Sequence, residues 1–126
     1  MSSYVGTVVP VAGGKEALVA TKEGIIVLNL ASGETTMIGN PEDKPDNRFN
    51  DGKCSPEGRF WVGTMGVPGK VLPGIGSLFV LERDRKTFRK VLSNTFISNG
   101  IAWSLDSKTM YYIDSPTKLV QAFDYD

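Results

Sequence analysis

Two short segments carry residue types that can do chemistry. The first, NRFNDGK, starts at Asn47 and offers Arg48, Asn50 and Asp51. The second, FISNG, starts at Phe96 and offers Asn99. Carboxamide and carboxylate oxygens suit a hard cation such as Ca²⁺ or Mg²⁺, with the side-chain oxygen rather than the amide nitrogen as ligand. A guanidinium beside them is a forked donor for a carboxylate or polyol oxygen. A cation held there would polarise a carbonyl and lower the pKa of a bound water. The same residues also make turns, because Asn, Asp and Gly tolerate positive φ. On local sequence alone the turn reading of Asn50-Asp51-Gly52 and Asn99-Gly100 is the stronger one. Asp51 is expected as a turn residue and Asp114 as a strand-end hydrogen-bond acceptor.

Repetition brings the two readings level. No segment keeps a helical period for three turns; short runs rich in Val, Ile, Tyr and Phe alternate with Gly, Pro, Asn and Asp clusters, which predicts an all-β chain. Strands are expected at 4–11, 17–21, 25–30, 35–38, 52–55, 60–64, 77–81, 88–92, 100–103, 109–113 and 119–125. They fall into a unit of four: a first strand, a small turn, an apolar second strand, a third strand, and a fourth after a polar turn. Gly13-Gly14-Lys15, Pro56-Glu57-Gly58-Arg59 and Leu105-Asp106-Ser107-Lys108 each precede a second strand. Successive units are offset by about 43 and then about 50 residues, a spacing that suits four-stranded propeller blades. The longer offset comes from a Gly/Pro-rich insertion at 66–76. The expected fold is therefore a partial β-propeller of about three four-stranded antiparallel blades, the last incomplete, at roughly 1–46, 47–95 and 96–126 in a single domain. A β-sandwich is the competing architecture, and the internal repeat argues against it. Asn50 and Asn99 each stand eight residues before the same turn, at Gly58 and Ser107. Both carboxamides are thus expected at the entry to an innermost strand, facing one central shaft.

Composition removes other chemistries. The chain has 126 residues, no His and one Cys. That excludes Ser-His-Asp and Cys-His mechanisms and His-ligated zinc, and one cysteine cannot form an internal disulfide. Cys54 is expected as a small buried hydrophobe. Charges balance at 14 basic and 14 acidic residues, which argues against nucleic acid as a partner. The cluster Arg83, Arg85, Lys86, Arg89 and Lys90 surrounds a turn and is expected as a solvated edge. Trp61, Trp103, Tyr111 and Tyr112 are expected to pack between blades rather than cage a ligand. No apolar run approaches the roughly 20 residues that span a bilayer, and MSSYVGTVVPVAGGKE lacks the pattern of a signal peptide. No membrane partner and a cytoplasmic location are expected.

The segments NRFNDGK, PEGRFWVGTM, ISNGIAWSLDSKTMYYIDS and AFDYD, in this order, resemble the senescence marker protein/gluconolactonase/regucalcin family. The resemblance implies a six-bladed propeller with one divalent cation on its axis, a sugar lactone such as gluconolactone as substrate, and lactone hydrolysis as the reaction. Animal members are also described as calcium-binding proteins. Asn99 matches the family's metal-binding Asn, while Arg48 and Asn50 match its substrate-contacting Arg and Asn; in some relatives the Asn50 position contacts metal too. Ca²⁺ is the first expectation, with Zn²⁺, Mg²⁺ and Mn²⁺ as alternatives. Relative to the family pattern, the chain begins in the second blade, after the Glu ligand, and ends in the fourth, before the Asp that doubles as catalytic base or nucleophile. Pro68 stands near the place of a substrate-contacting Glu found after the GTM motif in some animal members. The catalytic acid is therefore unmatched, and an Asn pair without carboxylates binds a divalent cation weakly or not at all. Open ends also expose apolar sheet, which predicts a homodimer completing the ring, or a fragment of a longer product. A non-enzymatic, self-associating half-propeller is the alternative function.

Overall fold

A computed structural model describes residues 4–126. The reading of the first residues as lacking a signal peptide falls partly on 1–3, outside the described residues. Eleven strands form three antiparallel sheets among the described residues. Sheet one contains β1 (Val5–Pro10), β2 (Glu16–Thr21), β3 (Gly24–Asn29) and β4 (Thr35–Gly39), in that order. Sheet two contains β5 (Asn47–Cys54), β6 (Phe60–Gly66), β7 (Gly76–Leu81) and β8 (Phe88–Thr95). Sheet three contains β9 (Ser98–Trp103), β10 (Thr109–Asp114) and β11 (Leu119–Asp124), with one 3-10 turn at Ser115–Thr117 between the last two. No helix of the described residues is long and apolar enough to cross a membrane.

The strand types follow from where each strand lies. β2 (EALVAT) and β7 (GSLFVL) are covered on both faces and are nearly continuous apolar runs. That is the pattern of a fully buried strand bounded by turn residues. The fourth strand β8 (FRKVLSNT) is mostly exposed and carries charge, which blunts an outer edge. The hairpin turns repeat too. Gly58 N–H donates to Ser55 O at 2.9 Å and Ser107 N–H to Ser104 O at 2.9 Å. Both residues adopt positive φ, 91° and 59°. In each turn the serine Oγ accepts a backbone N–H four residues on, from Arg59 at 3.1 Å and Lys108 at 3.2 Å.

The first strands lie against one another in sequence, β1 on β5 and β5 on β9, and the sheets fan outward from them. Two cores fill the gaps. Val9, Leu18, Ala20 and Ile25 of sheet one meet Phe49, Phe60, Val62, Phe79 and Leu81 of sheet two. Trp61, Leu78 and Val80 of sheet two meet Ile101, Met110 and Tyr112 of sheet three. Sheets two and three approach closely at Gly63, where an added Cβ would fall 2.1 Å from Ser98 Cβ. Burial of these faces is the main favourable term holding the sheets together.

The C-terminal end clamps the second junction. Trp61, Trp103 and Tyr125 pack mutually with ring centroids 5.8–6.1 Å apart. The Arg59 guanidinium lies over Trp61 and Tyr125, 5.7 and 5.6 Å from their centroids. Glu57 accepts from the Tyr125 hydroxyl and from Arg59 Nε. Partial burial pushes the Glu57 carboxyl up, but the Tyr125 and Arg59 hydrogen bonds outweigh it and take it down to about 2.

Candidate functional site

The chemistry-bearing segments are strands rather than the loops and turns expected from local sequence. Asn47–Cys54 is a single eight-residue strand, and Ser98-Asn99-Gly100 opens β9. Each carries a bulge. Phe49 pairs with Thr64 and Gly52 with Val62, so Asn50 and Asp51 together oppose Gly63. Asn99 pairs with Ile113 and Ile101 with Tyr112, leaving Gly100 as the extra residue. A bulge bends the strand and re-aims a side chain, so the residues that suggested turns are used to kink inner strands. The register makes Asn50 and Asn99 equivalent: each follows the residue paired with the same place on its second strand, Phe49 with Thr64 and Ser98 with Asp114. In sheet one that place falls to Gly6, after Val5, which pairs with Thr21. An added Cβ at Gly6 would lie 2.5 Å from Asn50 O and Phe49 O, so β1 presses its backbone onto β5.

The two motifs meet across the β5–β9 junction. Asn50 Nδ2 donates to Ser98 O at 2.9 Å, next to Asn99 in the chain. Arg48 Nη1 donates to Phe49 O at 3.0 Å and to Asn50 Oδ1 at 3.3 Å. The Arg48 guanidinium also lies 5.5 Å from the Tyr4 ring centroid, and its Nε is buried with no hydrogen-bond partner. A buried donor without an acceptor is uncommon, and it leaves part of the guanidinium uncommitted. Asn99 is exposed and donates through Nδ2 to Ser115 Oγ at 2.9 Å, so its Oδ1 is the atom left for a ligand. The Ser98 side chain points the other way, its Oγ 2.6 Å from the Tyr112 hydroxyl.

The nearby carboxylates are committed to structure. Asp114 Oδ2 and Oδ1 accept the Phe96 and Ile97 N–H groups at 2.9 and 2.8 Å, the expected role of a strand-end acceptor. Asp51 Oδ1 accepts the next backbone N–H, from Gly52, at 2.9 Å, but within a bulged strand rather than a turn. Among the described residues no three of His, Cys, Asp and Glu converge to hold a metal. A divalent cation needs charge compensation as well as oxygens. The neutral carboxamides of Asn50 and Asn99 are part of such a shell, and alone they do not fit the ion.

Two further expectations are corrected. Cys54 is half-buried rather than buried. It packs beside the first core, and burial pushes its thiol pKa up, so it is a poor nucleophile. Tyr111 does not pack between sheets but stays 40% exposed on the open side of sheet three. Sequence reasoning also missed Glu42, in the β4–β5 connection. It is buried and accepts from Asn47 Nδ2 at 2.9 Å, Thr64 Oγ1 at 2.7 Å and Lys44 N at 3.1 Å. Nothing in the run NPEDKP marks it, because a loop has no periodicity to show which acid turns inward.

Comparison with known proteins identifies a family. A model of the SMP-30/gluconolactonase/LRE-like region matches residues 1–126. Regucalcin of Xenopus laevis is 53% identical over 95 residues, 73% of this chain and 31% of that protein. Human regucalcin is 41% identical over 118 residues, 90% of this chain and 38% of that protein. A luciferin-regenerating enzyme superposes on the whole chain with a TM-score of 0.91 at 36% identity, covering 44% of that enzyme. A regucalcin from Agrobacterium tumefaciens, described as a calcium-binding protein, superposes with a TM-score of 0.88 at 28% identity, over 97% of this chain and 40% of its own. The chain thus spans less than half the length of these relatives.

Proposed function

The chain belongs to the SMP-30/gluconolactonase/LRE-like family, and we propose that it forms the substrate-binding wall of a metal-dependent sugar lactonase. The observation that carries this reading is the Asn50 Nδ2 to Ser98 O hydrogen bond of 2.9 Å, which brings the RFND and ISNG motifs onto neighbouring inner strands. In this reading Arg48 donates to the oxygens of a sugar lactone and Asn50 orients that substrate. Asn99 Oδ1 would supply one neutral oxygen to a divalent cation whose charged ligands come from outside these residues, Ca²⁺ first because the Agrobacterium neighbour is described as calcium-binding. Hydrolysis adds water across the acyl C–O bond and opens the ring to a hydroxy acid. The carboxylates that would balance a cation or take a proton are not among these residues, so a complete site needs groups from beyond this wall.

The test is gluconolactone hydrolysis by this chain set in place of the matching segment of a full-length relative, which supplies the missing carboxylates, with Ca²⁺, Zn²⁺, Mg²⁺ or Mn²⁺ and after chelation, alongside metal calorimetry. The expected result is chelator-sensitive turnover that disappears in Asn99→Ala. In Arg48→Ala kcat/KM should fall about 10- to 100-fold, the worth of one charge-assisted hydrogen bond. A folded chain that neither binds metal nor turns over substrate would support the second reading, a non-enzymatic self-associating module. The lack of a converging acid trio among the described residues favours that alternative.

A further inference from the structure

We propose that the junction between sheets one and two holds a binding site for a small aromatic carboxylate. The two junctions of the molecule share one register. Each first hairpin turn closes with the same hydrogen bond, Val11 N–H to Glu16 O, Ser55 N–H to Arg59 O and Ser104 N–H to Thr109 O. Counted from that bond, Cys54 and Trp103 hold the same place at the end of a first strand. Leu18 and Trp61 hold the same place near the start of a second strand. Leu81 pairs with Phe60 and Phe123 with Met110, so Arg83 and Tyr125, each two residues on, also correspond.

The same three places are filled very differently. Between sheets two and three they carry Trp61, Trp103 and Tyr125, whose rings pack together. Between sheets one and two they carry Leu18, Cys54 and Arg83. Three aromatic rings are replaced by two small apolar groups and an exposed guanidinium. The space left is a cavity of about 380 Å³ that all three residues line, together with buried Phe60 and Leu81. That volume lies in the range of small-molecule sites, which are mostly apolar with a few placed polar groups. A flat aromatic ring is the shape that the second junction puts in this place, and it buries a large apolar area.

The rim selects the charge. Glu57 and Glu82 stand at the cavity, but Arg59 pairs with both, at 2.7 and 3.8 Å, and Arg89 also takes Glu82 at 2.8 Å. Arg85 pairs with Glu16 at 3.3 Å. Arg83 has no side-chain partner among the described residues, and its Nε lies 4.0 Å from where a Cβ on Gly58 would stand. It is the cation left for a ligand, and a guanidinium meets a carboxylate through two parallel N–H bonds. Asn47 begins β5 and Cys54 ends it, so this cavity lies at the opposite end of the strand from Arg48. The inference stands or falls apart from the lactonase reading.

The test is titration of the isotope-labelled chain with indole-3-carboxylate, followed through the methyl resonances of Leu18 and Leu81. The expected result is a saturable shift of both. Neutral indole, with the ring alone, and acetate, with the charge alone, should each bind more weakly. Arg83→Gln should weaken indole-3-carboxylate about 10- to 100-fold, the worth of a hydrogen bond to a charged group, and leave the affinity for indole unchanged. Leu18→Trp, which carries the second junction's residue into the first, should fill the cavity and abolish binding while circular dichroism shows the strand signal retained. Methyl resonances that do not move, equal affinity for either comparator, an affinity unaltered in Arg83→Gln, or a folded Leu18→Trp that still binds would overturn the proposal.

Discussion

Glu42 shows how a single residue holds the wall in place. Its carboxylate gathers the Asn47 amide, the Thr64 hydroxyl and the Lys44 N–H, and Asn47 also donates to Ile75 O at 2.8 Å. These bonds pin the first residue of β5, one position before Arg48. Hydrogen bonds to a charged group are worth about 1.5–3 kcal/mol, and stranding buried partners costs more than the bond alone returns. Glu42→Ala should therefore destabilise the fold by about 3 kcal/mol, read as a lower midpoint in urea unfolding with an unchanged slope. Glu42→Gln, which keeps one acceptor oxygen, should lose less. Equal stability of all three proteins would contradict the assignment of Glu42 as a structural hub.

At the scale of elements, the bulged inner strands and their close approaches decide the geometry. Gly63 sits where β6 passes Ser98, and an added Cβ would overlap the serine Cβ and Oγ, at 2.1 and 2.4 Å. Overpacking a tight contact costs about 1–3 kcal/mol, and here the displaced partner is an inner strand of the site. Gly63→Ala should lower stability by that amount, seen in thermal unfolding, and should also loosen the β5–β9 junction. Much of the element pattern was legible beforehand. The apolar runs of β2, β6 and β7 and the turns at Gly58 and Ser107 repeat in the sequence because each sheet buries the same two faces. The bulges were not legible. Asn-Asp-Gly and Asn-Gly favour positive φ in a turn and fit a kinked strand equally well, and only pairing to a neighbour decides between them. Tyr111 was misjudged for a related reason: its register predicts an inter-sheet contact, but among the described residues it stays 40% exposed. Glu42 left no trace, since inward-facing loop acids carry no period.

At the scale of the whole molecule, three sheets fan from a common line of first strands, and Arg48, Asn50 and Asn99 stand along two of those strands. The fold was readable because repetition leaves its mark on the sequence. The site was readable in part, because motif residues are visible but their aim depends on how neighbouring sheets meet. In the proposed reading the chain supplies one wall of a shaft and neutral oxygens within it. Everything proposed for the wall depends on β5 and β9 being adjacent at Asn50. The most direct test is a nuclear Overhauser experiment on isotope-labelled protein. Cross-peaks from the Asn50 side-chain amide protons to the backbone protons of Ser98 and Asn99 are the predicted result. Their absence in a folded sample with the Asn50 amide assigned would contradict the account, since it would separate the two motifs that form the site.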